Sequence, residues 1–219
     1  AVSAYLIGTC KGVGPGTARH LVEAYGAEAI AIFKEDPERV AREIPGLTLA
    51  RAREAANSLR ENEAHERLQI ALRELLDGTG VHRGILSRIL SLWGEEAPER
   101  IHRNPYALIE EVEGVGFLTA DRIAVKLGYD REGGPRIRAG ILHVLKEQSF
   151  SNGHTCLPRE LLLEKASKLL VLGTEPLEAE LPALEGDRLL VEKDASFSLV
   201  PLYEDETLVA RRIRSLLKG

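Results

Sequence analysis

Four short glycine-bearing segments carry the residue types best suited to chemistry. The first is Lys11-Gly12-Val13-Gly14-Pro15-Gly16-Thr17-Ala18 and the second Ile44-Pro45-Gly46-Leu47-Thr48. Gly78-Thr79-Gly80-Val81-His82 is a worn third, and Val112-Glu113-Gly114-Val115-Gly116-Phe117-Leu118-Thr119-Ala120 a clean fourth. Each reads as a tight turn whose following helix starts at once. Glycine lets the backbone turn sharply and approach a ligand closely, while the free N–H groups of a starting helix point outward at the positive end of its dipole. An anion, above all a phosphate, completes that geometry. Lys11, Thr17 and Arg19 add side-chain donors at the first segment, Arg51 and Arg53 at the second, Thr119 and Arg122 at the fourth. The candidate contact set is therefore Lys11, Gly12, Gly14, Thr17 and Arg19, then Gly46, Thr48 and Arg51, then Gly114, Gly116, Thr119 and Arg122.

Other chemistries are poorly supported. Glu95-Glu96 and Glu110-Glu111 alternate with apolar helical positions and read as a solvated face rather than an acid–base pair. His154 and Cys156 are two metal ligands without a partner cluster. No G-x-x-x-x-G-K-[ST] loop occurs, so a nucleotide cradle of that kind is absent and no catalytic residue is assigned. Two cysteines without a CxxC give neither a disulfide framework nor a structural zinc site, which fits a reducing cytoplasm, and Cys10 reads as an inert thiol.

The elements that must position these segments repeat. At an offset of 68, Gly12 maps to Gly80, Gly26 to Gly94, Pro37 to Pro105, Glu43 to Glu111, Gly46 to Gly114 and Ala52 to Ala120, without a gap. Tyr25-Gly26-Ala27-Glu28-Ala29 echoes Trp93-Gly94-Glu95-Glu96-Ala97, and a gene duplication is the simplest explanation. Apolar residues step at helical spacing through Ala18, Leu21, Val22 and Tyr25 and through Ile85, Ile89, Leu92 and Trp93. Gly26 and Gly94 read as C-terminal caps, and Asp36 and Asn104, each before a proline, as N-caps. Residues 61–76 form a connecting amphipathic helix with Ala64, Leu68, Ala71, Leu72 and Leu75 on one stripe.

After Gly133-Gly134-Pro135 the echo ends and a new domain begins. Residues 136–147, 158–170 and 174–184 read as helices, and residues 188–192 and 196–200 flank Lys193-Asp194-Ala195 as a β-hairpin, which together suggest a winged helix. The fold expected is mainly α, with two tandem doubled modules at 1–60 and 78–130, a connector at 61–77, a winged-helix-like domain at 135–203 and a lone helix at 204–219. Hydrophobic residues make up 44% and charged residues 29% of the 219, without a run of bilayer length or a secretory signal. The net charge of -5 and pI near 5.8 argue against a surface coated in cations, so any nucleic-acid contact is local. Arginine and lysine number 29, eight of them within residues 1–60 against seven acids. The lack of methionine, initiator included, suggests a piece of something longer.

The first and fourth segments resemble the signature of the helix-hairpin-helix family, hydrophobic-x-Gly-hydrophobic-Gly-x-x-x-Ala, with Val13 between Gly12 and Gly14 ahead of Ala18, and Val115 between Gly114 and Gly116 ahead of Ala120. The second departs at Thr48 and the third at His82, which leaves open whether those two are contacts or structural turns. Two doubled hairpins followed by Arg136-Ile137-Arg138-Ala139-Gly140-Ile141-Leu142, Gly153-His154-Thr155-Cys156-Leu157-Pro158-Arg159 and Val200-Pro201-Leu202-Tyr203 are similar to the N-terminal region of RecD-like DNA helicases. That resemblance covers essentially the whole chain, and it implies that residues 204–219 are the start of a following motor domain. It implies a parent that unwinds DNA five-prime to three-prime with ATP and magnesium in recombination and repair. This chain then needs no cofactor and supplies backbone-directed, sequence-independent DNA binding beside the motor domains and other repair proteins, with no membrane involvement. Two rivals differ. A protein-interaction module would use the same hairpins as structural turns. A glycosylase would need an acid beside the hairpin, and Lys11 has none in the sequence around it.

Overall fold

The computed structural model describes the backbone of residues 2–218 and the side chains of all of these but Asn152 and Lys218. The chain divides into two compact units, residues 1–75 and 76–219. In the first, α1 (Val2–Thr9) leads through the first hairpin into α2 (Pro15–Tyr25), a 3-10 turn (Gly26–Glu28), α3 (Ala29–Glu35), α4 (Pro37–Glu43) and, after the second hairpin, α5 (Leu49–Leu76). Pro15 and Pro37 sit in the first turns of their helices, where a missing N–H costs nothing. Gly26 closes α2 at positive φ, and the Asp36 carboxylate caps α4 by accepting the Arg39 N–H at 2.9 Å. Leu6, Val13, Leu21, Phe33, Val40 and Leu59 fill the core, all but Val13 at 1% exposure or less.

The connecting helix is not a separate element. The helix of the second hairpin runs unbroken into it, 28 residues in all, because residues 49–76 hold neither Gly nor Pro.

The second unit repeats the plan as α6 (Arg83–Trp93), a 3-10 turn (Gly94–Glu96), α7 (Ala97–Arg103), α8 (Ala107–Glu111) and α9 (Phe117–Lys126). Gly94 closes α6 as Gly26 closes α2. Asn104 differs from Asp36: its carboxamide oxygen accepts the Tyr106 N–H at 3.1 Å, so it opens a turn, and α8 starts only at Ala107. Beyond lie α10 (Gly134–Asn152), β1 (Leu157–Pro158), α11 (Arg159–Leu170), α12 (Thr174–Gly186), β2 (Leu190–Lys193), β3 (Ser196–Leu199) and α13 (Val200–Lys218). The sheet is antiparallel, ordered β1-β3-β2, with Leu157 opposite Phe197 and Leu190 opposite Leu199. The hairpin foreseen from sequence is β2–β3. Its third strand is two residues long, too short for any alternation to announce it. Residues 78–130 share their compact unit with this helix-and-sheet region. Phe117 of α9 stacks between Tyr106 and His143 of α10, with ring centroids 6.2 and 5.5 Å away.

Candidate nucleic-acid interface

All four glycine segments fold as turns of one geometry. Gly12, Gly46, Gly80 and Gly114 have φ of +81°, +78°, +88° and +91°, a region that only glycine enters freely. They stand 34 residues apart, so each 68-residue copy is itself two halves. The sequence carries this shorter period, but little more than the glycine and the apolar residue after it recurs. That next residue is buried as Val13, Leu47 and Val115 and half-buried as Val81.

The four helix starts then separate into two kinds. Gly14 and Gly116 precede α2 and α9 in extended conformation and place no side chain over the first turn. His82 instead turns its Nδ1 onto the Gly84 N–H at 3.1 Å, and the Thr48 hydroxyl oxygen receives the Arg51 N–H at 3.4 Å. A side-chain cap occupies a donor that an anion would need. The two departures from the glycine pattern are therefore closed helix starts, and the two matches are open ones.

Around the first hairpin, Lys11, Gly12, Gly14 and Arg19 are exposed and Thr17 is half-buried. Arg51 lies across from the second hairpin, so that a side chain on Gly12 would meet its Cγ and Cδ at 3.7 Å. Gly46 and Thr48 are exposed beside it. Arg53 is spent on Glu38, 2.8 Å away. Around the fourth hairpin, Gly114 and Gly116 are exposed and Thr119 is half-buried. Arg122 donates to the Thr119 hydroxyl at 3.3 Å, yet its guanidinium also extends over the third hairpin, where a side chain on Gly80 would meet Nη2 at 3.0 Å. Cys10 packs into the core under the first hairpin, and burial pushes its thiol up to about 11, leaving it protonated.

Each module also carries a latch that spacing alone did not disclose. Tyr25 donates to Glu43 at 2.7 Å, and Arg39 pairs with the same carboxylate at 3.0 Å while its Cζ lies 5.6 Å from the tyrosine ring centroid. In the second module Trp93 Nε1 donates to Glu111 at 2.9 Å, and Arg100 reaches both carboxylate oxygens with its Cζ 4.5 Å over the indole. Glu43 and Glu111 immediately precede the second and fourth hairpins, so the latch ties each hairpin to the aromatic that ends the preceding long helix. Burial and then the Glu43 hydrogen bond push the Tyr25 phenol up to about 12, and the Tyr25 and Arg39 donors hold Glu43 below the usual carboxylate range. Glu110 and Glu111 are exposed, as a solvated face would be, but both are engaged: Glu110 pairs with Lys146.

Behind the fourth hairpin, Asp121 on α9 accepts two bonds from Arg136, at 2.8 and 3.0 Å, and one from the Tyr106 hydroxyl at 2.9 Å. Arg136 Nη1 also donates to the carbonyls of Arg131 and Leu170. Burial, reinforced by Asp121, pushes the Tyr106 phenol well above its ordinary range. Among the described residues no three His, Cys, Asp or Glu side chains come together as a metal site, and no helix is long and apolar enough to cross a membrane.

A family model described as the HHH domain of the ATP-dependent RecD2 DNA helicase matches residues 6–84 and again residues 71–156, twice in succession as a duplicated architecture requires. The ATP-dependent RecD2 DNA helicase of Deinococcus radiodurans is 28% identical over 158 residues, which are 72% of this chain and 21% of that protein. The chain thus spans about a fifth of the length of the curated relative it matches.

Proposed function

Because the chain belongs to the HHH-domain family of ATP-dependent RecD2 DNA helicases, we propose that it grips the DNA backbone without regard to sequence, on behalf of a motor outside these residues. The observation that carries this reading is the pair of open helix starts at Gly14 and Gly116, set against the capped starts at Thr48 and His82. Lys11, Gly12, Thr17 and Arg19 surround the first open start, and Gly114, Thr119 and Arg122 the second. Gly46, Thr48 and Arg51 act as a buttress to the first hairpin, since Arg51 covers Gly12. Contacts to phosphate position a protein without reading bases, so affinity varies little among sequences. The motor supplies unwinding, with ATP and magnesium, in DNA recombination and repair in the cytoplasm. This chain hydrolyses no ATP.

The region from α10 to β3 is read as a winged helix whose α12 takes the place of a recognition helix. Residues 174–186 hold Glu175, Glu178, Glu180 and Glu185 and not one cation, which opposes a phosphate contact there. That face serves packing or a protein partner such as the motor or another repair protein.

The test is a titration of the chain on unrelated DNA sequences at several salt concentrations. Each neutralised phosphate contributes a slope of roughly −0.7 on single strands or −0.9 on duplex to log affinity against log salt. Lys11→Gln is expected to flatten that slope by about one unit or less, alike on every sequence. A loss confined to one sequence, or an unchanged slope, contradicts the assignment of the first hairpin.

A further inference from the structure

At the first hairpin the cation is local: Lys11 immediately precedes Gly12. The fourth hairpin has Glu113 at that place, an exposed acid beside an open helix start, and so lacks a cation of its own on the turn. The fold delivers one from elsewhere. Arg88, on α6 in the helix that follows the third hairpin, reaches 25 residues along the sequence and donates through Nη1 to the Glu113 carbonyl oxygen at 2.6 Å. A side chain on Gly114 would meet that same Nη1 at 3.2 Å, so the guanidinium lies directly against the turn.

The arrangement is reciprocal. Arg88 stands eight residues after Gly80 and covers Gly114, while Arg122 stands eight residues after Gly114 and covers Gly80. The corresponding positions of the first module are His20 and Glu54, so the reciprocal pair belongs to the second module alone; in the first, Arg51 lies against Gly12 only with the aliphatic stem of its side chain. Arg88 is exposed, and among the described residues no carboxylate pairs with it. Elsewhere in the unit Arg100, Arg103, Arg136 and Arg138 are each paired with an acid, whereas Arg83 and Arg122 share with Arg88 the lack of an acid partner among the described residues. A guanidinium presents five N–H donors in a fixed fork suited to phosphate. One of Arg88's is committed to the Glu113 carbonyl, which fixes the group at the turn without neutralising it.

The geometry points to Arg88 as the phosphate-contacting cation of the fourth hairpin, supplied across the module by the third. This rests on the DNA-backbone reading of the open hairpins and adds a residue to it. It also gives the capped third hairpin a use: its helix is the arm that carries Arg88.

The experiment titrates single-stranded and duplex DNA of unrelated sequences with the 219-residue chain and its Arg88→Gln, Arg88→Lys and Gly116→Asp variants, with Arg214→Gln on α13 as the control for general charge. Arg88→Gln is expected to lose affinity by roughly tenfold and to flatten the salt slope by about 0.7 to 0.9, while Arg88→Lys keeps the slope and Arg214→Gln keeps both. Wild-type affinity in Arg88→Gln overturns the proposal, as does a loss at unchanged slope, which marks a merely structural brace. An Arg88→Lys slope as flat as that of Arg88→Gln overturns it too. If the wild type binds no DNA, the backbone reading falls and this with it. If Gly116→Asp loses binding and Arg88→Gln does not, only the role of Arg88 falls.

Discussion

The two helix-hairpin-helix modules share one plan and solve its problems with different residues. Both keep the aromatic-to-glutamate latch, yet the arginine stacked on the aromatic comes from α4 in the first module, as Arg39, and from α7 in the second, as Arg100. These two arginines are not related by the 68-residue offset. Both modules keep one open helix start, but it belongs to the earlier hairpin of the first pair and the later hairpin of the second. The first module has a cation on the turn itself, Lys11, with the Arg51 stem packed across the pair, whereas the turn of the second has Glu113 and receives the Arg88 guanidinium across the pair. Glycine positions and buried contacts are thus held by backbone geometry, which few residues satisfy. The polar groups around them need only arrive at the right place, and any nearby element that can deliver one serves.

The largest effect that separates the modules concerns the partly buried Asp121–Arg136 pair behind the fourth hairpin. Arg136→Met removes the cation that holds Asp121 and leaves a carboxylate facing a half-buried pocket, an uncompensated charge that costs about 3 kcal/mol. Hydrogen exchange is expected to show loss of protection in residues 76–219 with the first unit unchanged. Equal loss in both units contradicts a local role for this pair.

Alkaline stability follows in size. In the first unit the folded values of Cys10 and Tyr25 are raised, from 9.0 to about 11 and from 10.0 to about 12. Groups so raised keep their protons in the folded state where the unfolded chain has lost them. Their stabilisation is complete below pH 9 and declines as the pH rises through about 11 to 12. In the second unit the Tyr106 phenol is raised from its ordinary 10.0, so its decline begins a pH unit later than that of Cys10. Denaturant melts followed by exchange in each unit check the order, and Tyr25→Phe is expected to shrink the decline in the first.

The cations come next. Lys11 and Arg88 lie on separate modules with no shared partner, so Lys11→Gln and Arg88→Gln are expected to lower log affinity additively, within about 0.5 kcal/mol. Strong non-additivity in a DNA titration means that both act on one phosphate site.

The smallest effect is a gain. His82→Gly removes the side chain that caps α6 and leaves the third hairpin with the open start of the first and fourth. The backbone there, φ −91° and ψ 171°, suits any residue, and replacing a cap by glycine costs only a few tenths of a kcal/mol. DNA affinity is expected to rise by roughly two- to threefold. A fall assigns His82 itself to the contact.

Much of this was legible in the sequence. The 68-residue echo is plain because it recurs without a gap, and the four turns, the caps at Gly26, Gly94 and Asp36, and the helices and hairpin after Gly134 follow from local spacing, because each depends on residues close together in the chain. Three things were not. The two-residue strand Leu157–Pro158 exists only because β3 pairs with it. The latches join residues 18 apart, where no periodicity connects donor to acceptor. Arg88 lies 25 residues from the turn it serves, on the exposed side of a helix whose apolar stripe reads as core packing. Arg122 was legible as a cation near the fourth hairpin, but not its reach over Gly80.

If phosphate sits at the open helix starts, aspartate at Gly14 and Gly116 displaces it. Both glycines have extended backbone, with φ of −85° and −96°, and a Cβ on either meets nothing within 4 Å. Aspartate is a favoured N-cap, so the variants are expected to fold at least as well as the wild type while occupying the helix N–H donors and repelling phosphate. DNA titration of Gly14→Asp, Gly116→Asp and the double variant, with helicity checked by circular dichroism, is predicted to show a loss of roughly tenfold for each single change and nearly the product for the pair. A folded double variant that binds DNA like the wild type would mean that phosphate does not sit at these helix starts.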